Sequence, residues 1–331
     1  MQARQSKSRV HIRTPTYRRP AALKRCLESM IAQTWENWVC DVYDDDPEGS
    51  AATVVNALCD PRITCHQNKP QRFASKNIDQ CFGRANPCDA DYFCVVEDDN
   101  FILPRFIEDN IRICRQQGVE IVFRNQLVEF ESGSKDAHLS AGGILDNKLT
   151  EGRINASLFR MSLIADIGVS NGGLFWSRLA VSDLEIKVPC SATLQEYMRT
   201  FAIDEPIYIA LEPLAVWAEN GDDTLRDLGS KAGYLRSELS LKRSIGVLRR
   251  GAWARAAAED RSRFLDHPAF AYPVNMRARG LVKSHITFNV GTALRFSDKL
   301  RLALRGGLTR LMGRSDPNLH EFISTRSRQQ V

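Results

Sequence analysis

Tyr92-Phe93-Cys94-Val95-Val96-Glu97-Asp98-Asp99-Asn100 is the stretch from which the fold can be read. A strand-like apolar run passes straight into three acids. Carboxylates crowded at the end of a buried strand repel one another and cost free energy unless a cation or a donor compensates. Open α/β sheets bind ligands beyond the carboxyl ends of their strands. Hard divalent ions take oxygen ligands, often one or two carboxylates together with substrate phosphates. The run is therefore read as a strand that delivers Glu97, Asp98 and Asp99 to a metal–phosphate site, against the plainer reading of solvated loop acids.

Outward from this run, strands and helices alternate. Val10 to Arg13 reads as a strand, and Pro20 suits the first turn of a helix whose apolar face is Leu23, Leu27, Met30 and Ile31. Val39 to Tyr43 is a second strand that ends in Asp44, Asp45 and Asp46, and Ser50 is placed to cap a helix through Leu58. Ile63–His66 and Val119–Phe123 read as further strands, Phe73–Phe82 as a helix, and Pro104 opens a helix with Phe106, Ile107, Ile111 and Cys114 inward. This alternation predicts a mainly parallel sheet flanked by helices. Two early strands ending in acids on one sheet edge strengthen the site reading. Residues 131–168, broken by Gly133, Gly142, Gly143 and Gly152, read as a loop region. A strand resumes at Gly172–Trp176, Leu194–Phe201 looks helical, and Ile207–Leu211 is a last strand.

Composition sets the outer bounds. The 331 residues include 43% hydrophobic residues, enough for a real core. The polar N-terminus carries no signal-peptide pattern, and no apolar run approaches the ~18 residues of a membrane span. Nine cysteines, odd in number and without a Cys-x-x-Cys pair, point to reduced thiols in a cytosolic protein with neither a disulfide framework nor a zinc site. The net charge of +5 hides an asymmetry: residues 226–331 hold 21 Lys+Arg against 8 Asp+Glu, while the remainder holds 24 against 32. An acidic body, 8–226, with a basic, mainly helical tail, 227–331, is expected, the tail facing an anionic surface. Within it Leu300, Leu304, Leu308 and Leu311 share a helical face among Lys299, Arg301, Arg305, Arg310 and Arg314. That suits peripheral binding to anionic lipid on the inner face of the cell membrane, or equally a packed helix with solvated charges. Gly306 and Gly307 weaken its middle by roughly 1 kcal/mol each relative to Ala. No nucleic-acid-binding module is recognisable.

Several segments resemble family 2 glycosyltransferases of the nucleotide-diphospho-sugar transferase fold. Val10-His-Ile-Arg-Thr-Pro-Thr-Tyr-Arg-Arg-Pro20 is similar to the family's opening strand and loop, and Leu27–Trp35 to its first helix and turn. Val42-Tyr-Asp-Asp45 resembles its second-strand acid pair, and Glu97–Asn100 its Asp-x-Asp-type motif. Asn171-Gly-Gly-Leu-Phe-Trp176 resembles the acceptor-side segment, and Glu212–Trp217 the strand closing the domain. The likeness spans roughly residues 8–225. It implies transfer of a sugar from a nucleotide-diphosphate sugar, UDP-type first, to a hydroxyl of a glycan or glycolipid acceptor, with inversion and with Mg²⁺ or Mn²⁺. Surface polysaccharide or glycolipid synthesis is the expected setting. By the same resemblance Asp45 takes the base, Pro15, Thr16 and Tyr17 line its pocket, and Asp98 approaches the ribose. Asp99 binds the metal, and Arg72, Lys76 and Asn77 face the donor. The general base is assigned to Glu196, with Asp183 or Glu185 as the alternative, because Gln195 stands where the family carries its first acid. Asn220 or Asp222 stands in for a late metal-binding histidine.

The chemistry agrees with this assignment. The leaving nucleoside diphosphate gathers negative charge that a divalent ion offsets, and the acceptor hydroxyl needs a carboxylate within hydrogen-bond reach. Two other readings remain. A nucleotidyltransferase on a similar fold usually opens with a Gly-rich loop, which Arg13–Arg19 lacks. A non-catalytic nucleotide-binding or scaffold protein would keep the fold without the base. Trp176 is read evenly as a core residue or a sugar platform, and His66, His138 and His285 are assigned no chemistry.

Overall fold

The computed structural model describes residues 8–219 and 231–328. The chain divides into two compact units. The first is built from residues 1–146, 170–181 and 205–224, and the second from 147–169, 182–204 and 225–331. The second unit thus draws in two segments from the middle of the sequence as well as the basic tail.

The first unit contains β1 (Val10–Thr16), α1 (Pro20–Ile31), β2 (Trp38–Asp44), α2 (Ser50–Leu58), β3 (Ile63–Gln67), α3 (Phe73–Gln80) and β4 (Tyr92–Val95). It continues with β5 (Phe101–Ile102), α4 (Phe106–Gln117), β6 (Ile121–Phe130) and β7 (His138–Leu139). In the second unit follow β8 (Gly152–Ile154) and α5 (Ala156–Met161). β9 (Leu174–Ser177) returns to the first unit, α6 (Ala192–Ala202) belongs to the second, and β10 (Ile207–Ala218) to the first. The chain ends in the second unit with α7 (Lys231–Arg255), α8 (Ala258–Arg263), α9 (Val274–Lys283), α10 (Phe296–Met312) and α11 (Leu319–Arg328).

The sheet order is β3-β2-β1-β4-β9-β6-β10-β5, with β7 against β6. β3, β2, β1 and β4 run parallel, as do β6 and β10. β9 pairs antiparallel with both β4 and β6, so the parallel sheet expected from the alternation is interrupted by one short reversed strand. β1 is buried at every position, as a central strand covered on both faces must be, whereas β3 at the sheet end alternates exposed residues with buried or half-buried ones. α1, α2 and α4 supply Leu23, Leu27, Met30, Val55, Phe106, Ile107 and Ile111 to the core over Val10, Ile12 and Val42. Burying such side chains contributes roughly 1.5–3 kcal/mol each.

Local expectations shift in three places. Ile31 is exposed, and Cys26 takes its place on the buried face of α1. Ser50 does not cap α2. The Asp44 carboxylate, arriving from the end of β2, accepts from Ala51 N at 3.0 Å instead. β10 runs on from Leu211 to Ala218 because the ladder to β6 breaks between Ala210 and Ala215 and resumes. Pro213, which has no N–H to give, falls in this irregularity.

In the second unit Leu163, Leu194, Met198, Phe201, Leu248 and Phe322 form a separate core. α10 packs through Leu302, Ala303 and Gly306. A Cβ at Gly306 would lie 2.2 Å from the Lys283 carbonyl oxygen, so this glycine, expected only to weaken the helix, permits close approach of α9. Leu300, Leu304, Leu308 and Leu311 are turned to solvent, Leu311 with 83% of its surface exposed. No helix among the described residues is long and apolar enough to cross a membrane.

Candidate active site

The sheet register brings the candidate side chains together. Thr16 stands opposite Asp44, and Arg13 opposite Val95. Three residues beyond Arg13 is Thr16, and three beyond Val95 is Asp98. The Thr16 hydroxyl accordingly donates to Asp98 Oδ2 at 2.7 Å, and Tyr17 N to the same oxygen at 3.4 Å. Asp98 is buried, and burial pushes its carboxyl up from the ordinary carboxylate range, with Arg19 opposing and Asp99 adding to the rise. The Arg19 guanidinium spans both acids, meeting Asp98 Oδ1 at 2.9 Å through Nη2 and Asp99 Oδ2 through Nη1. Burial opposes this charge, but Asp98 and Asp99 outweigh it and raise the arginine above its ordinary value. Two adjacent carboxylates at the end of a buried strand therefore carry the compensating cation that the sequence pattern demands, supplied by the chain itself.

Asp45 lies beside this pair on the neighbouring strand end. Its Oδ1 accepts from Asn68 Nδ2 at 2.9 Å and Arg72 N at 2.7 Å, and its Oδ2 from Phe73 N at 2.7 Å. The carboxylate thus serves the N-terminal amides of α3, where negative charge is favoured. Asn68 also donates to Asn77 Oδ1, and Asn77 Nδ2 donates to the carbonyls of Thr16 and Tyr43. Asn77 is buried and joins β1, β2 and α3, whereas Arg72 and Lys76 are exposed on the start of that helix. Pro15 and Thr16 are buried, and Tyr17 is 43% exposed at the strand end.

Glu97 links β4 to the glycine-bearing segment before β9: its two oxygens accept from Asn100 Nδ2 and Asn171 Nδ2, each at 3.2 Å. Gly173 is required here, because a Cβ would stand 2.7 Å from the Arg124 carbonyl oxygen and 2.9 Å from the Phe123 ring. Trp176 is a core residue, stacked on Phe82 and Phe93 at 5.4 and 5.9 Å between centroids. His66 Nε2 donates to Asp41 Oδ1 at 2.9 Å, away from the acids of β4.

The structure gathers Thr16, Tyr17, Asp45, Asn77, Asp98 and Asp99 in the first unit. Glu196 belongs to the second unit, half-buried on α6, with Gln195 and Arg199 buried beside it. Asp183 also lies in the second unit, where its Oδ2 accepts from Lys187 Nζ at 3.2 Å; Glu185 approaches the same ammonium at 3.5 Å. Asn220 and Asp222 lie outside the described residues. Sequence reading missed Arg19, the Asn171–Glu97 bond and Phe73, which stands 69% exposed with a φ of 62°. For Arg19 a signal existed, since a cation three residues past Thr16 was available to answer the acids.

The donor set at Asp98 and Asp99 consists of hard carboxylate oxygens, which suits a Mg²⁺-type ion that takes few protein ligands and completes its shell with phosphate. Among the described residues no group of three acidic, histidine or cysteine side chains forms a closed metal cage. An ion here would share its shell with a diphosphate and contend with Arg19 for Asp99.

Comparison with known proteins adds family and fold. Residues 12–164 match the family profile described as Glycosyl transferase family 2. No curated protein sequence matches the chain. Among solved structures, S. aureus TarS 1–349 in complex with UDP-GlcNAc is similar with a TM-score of 0.57 at 10% identity, over 97% of this chain and 92% of that one. The same fragment with UDP gives a TM-score of 0.52 at 11% identity, over 98% and 92%. S. aureus TarS crystallised without a named ligand gives 0.53 at 11%, over 92% of this chain and 53% of that one. At these identities the likeness speaks for the fold.

Proposed function

Because residues 12–164 match the profile of glycosyl transferase family 2, we propose that the chain moves a sugar from a UDP-type nucleotide-diphosphate sugar to a hydroxyl of a glycan or glycolipid acceptor. The observation that carries this reading is the Thr16–Asp98–Asp99–Arg19 cluster at the ends of β1 and β4, with Asp45 on the adjoining strand end. The structural likeness to a protein crystallised with UDP-GlcNAc and with UDP favours the uridine donor.

The residues divide the work as follows. Asp45 fixes the start of α3 and takes the base edge, with Pro15, Thr16 and the exposed Tyr17 ring forming the wall. Asp98 meets the ribose. Asp99 holds Mg²⁺ or Mn²⁺, which supplies Lewis-acid stabilisation of the leaving diphosphate. Arg72 and Lys76, exposed at the start of α3, and Asn77 beneath them complete the donor side. Glu196 takes the acceptor proton, with Asp183 as its alternative, in a direct displacement that inverts the anomeric centre. The outward leucines of α10 and its flanking arginines support peripheral contact with anionic lipid on the inner membrane face, the setting of surface polysaccharide or glycolipid synthesis.

The test is thermal stabilisation by nucleoside diphosphates with and without Mn²⁺, followed by donor turnover. A ligand at a hundredfold excess over its Kd stabilises by about 2.7 kcal/mol. UDP stabilisation that needs metal and disappears in Asp99→Ala supports the reading. Nucleotide binding without any turnover, in the wild type, would instead favour a binding protein. Turnover unchanged in Asp99→Ala would remove the metal role, and turnover unchanged in both Glu196→Gln and Asp183→Asn would remove both base assignments.

A further inference from the structure

The second unit holds a cavity of about 230 Å³ between α7, α9 and α10. Pockets that take drug-sized molecules span about 300–1,000 Å³, so this one suits a compact group. Six cations line it: Lys242, Arg243, Arg249, Arg250, Lys283 and Arg310. Carboxylates answer two of them, Asp166 pairing with Arg249 and Glu238 with Lys242. Arg243 donates to the carbonyls of Arg310 and Gly313, and Arg250 to the carbonyl of Ser284 at 3.2 Å. Neither these two nor Lys283 and Arg310 form an ion pair with a carboxylate among the described residues.

Such crowding is costly. Burial first, and then Arg310 and Arg243, hold Arg250 below its ordinary range. Burial also lowers Lys283; Asp166 opposes this, and Arg249, Arg305 and Lys242 add to it. A second observation is independent of charge. Ser284 lines the cavity, is 3% exposed, and its hydroxyl has no hydrogen-bond partner. A buried polar group left unpaired costs about 1–3 kcal/mol. Excess positive charge, with an unpaired hydroxyl on a buried residue of the cavity wall, calls for a compact anion rich in acceptor oxygens.

We propose that this cavity binds a phosphate group, either of a free phosphate ester or of a phospholipid headgroup. Arginine and lysine bind phosphate oxygens through short charge-assisted hydrogen bonds, and one phosphate would relieve the repulsion of Arg250 by Arg310 and Arg243 and that of Lys283 by Arg249 and Lys242. The site lies wholly within the second unit and uses none of the residues assigned to the sugar donor.

The experiment titrates the full chain with inorganic phosphate and glycerol 3-phosphate by calorimetry. In parallel the chain is floated with phosphatidylcholine vesicles with and without phosphatidylglycerol. The variants are Arg250→Gln/Lys283→Gln and, because its exposed side chain leaves folding unburdened, Arg310→Gln alone; Asp99→Ala serves as the control for the donor site. The expected result is binding weakened by about tenfold in the double variant and by a smaller factor in Arg310→Gln, with Asp99→Ala binding as the wild type does. Variant-sensitive binding of soluble phosphate without flotation identifies a free ester. Flotation that needs phosphatidylglycerol and is lost in the variants identifies a headgroup. Failure of the wild type to bind either probe overturns the proposal, as does binding that Arg310→Gln and a folded double variant leave unchanged.

Discussion

Replacing Arg19 with Gln removes the cation that joins Asp98 to Asp99. Asp98 is 1% exposed and Asp99 14%, while the arginine itself keeps 33% of its side-chain surface in water. Breaking a fully buried ion pair costs about 3–5 kcal/mol, and an exposed pair contributes about 0–1 kcal/mol. With the acids inside and the arginine at the boundary, the expected loss lies between these, at about 2 kcal/mol. Thr16 and Tyr17 N remain to hold Asp98 and keep the loss from reaching the buried limit. For a chain of 331 residues, whose unfolding entropy is roughly 2.1 cal/mol/K per residue, that corresponds to a melting temperature lower by about 3 °C, readable by scanning calorimetry. A second arm adds Mn²⁺ without nucleotide. The ion now meets two carboxylates free of their arginine, so it should raise the melting temperature of Arg19→Gln by more than that of the wild type. Equal melting temperatures for the two proteins, together with equal responses to Mn²⁺, would refute the bridging role of Arg19.

Further outcomes follow from particular contacts. Asp45→Ala leaves the amides of Arg72 and Phe73 without their acceptor, so it should destabilise by about 1–3 kcal/mol in denaturant melts and raise the KM for donor. Gly173→Ala pushes a methyl against the Arg124 carbonyl and the Phe123 ring, and overpacking of this kind costs about 1–3 kcal/mol; a melt indistinguishable from wild type would show that the segment yields easily. Asp41 is drawn up by burial, but hydrogen bonds from His11 and His66 outweigh that and hold it below the ordinary carboxylate range. The stability advantage of the wild type over Asp41→Asn should therefore be fully present above about pH 4, the unfolded value. It should vanish as the pH falls through the lower native value, which melts across an acid series would record.

The first half of the sheet was legible in the sequence for a local reason. β2 and β4 are short, largely apolar runs closed by acids, β1 is a short run around Val10 and Ile12, and Pro20 and the leucines of α1 announce their helix without outside help. The acids at the strand ends could be assigned to one edge because parallel strands joined by helices must all point the same way. Register then decides the rest, and register is non-local. That Thr16 meets Asp98 follows from where β4 seats against β1, which no segment reports alone. The same limit explains the errors. Ser50 is a good cap by type, but Asp44, at the end of β2 just before the helix, accepts from Ala51 N instead. Phe73 reads only as the start of a helix; that its amide donates to Asp45 and its ring stands exposed is set by the meeting of β2 with the start of α3.

The sequence by itself determined the alternation of elements, the acid-ended strands and the basic character of the tail, because composition and short-range periodicity encode these directly. Only the tertiary structure decided that β9 runs backwards between β4 and β6 and that Arg19 is the counter-ion of the acid pair. It also decided that Gly306 admits a neighbouring helix and that six dispersed cations converge on one cavity. Each of these is a meeting of residues far apart in the chain, settled by the packing of whole elements and by the electrostatics of what that packing buries.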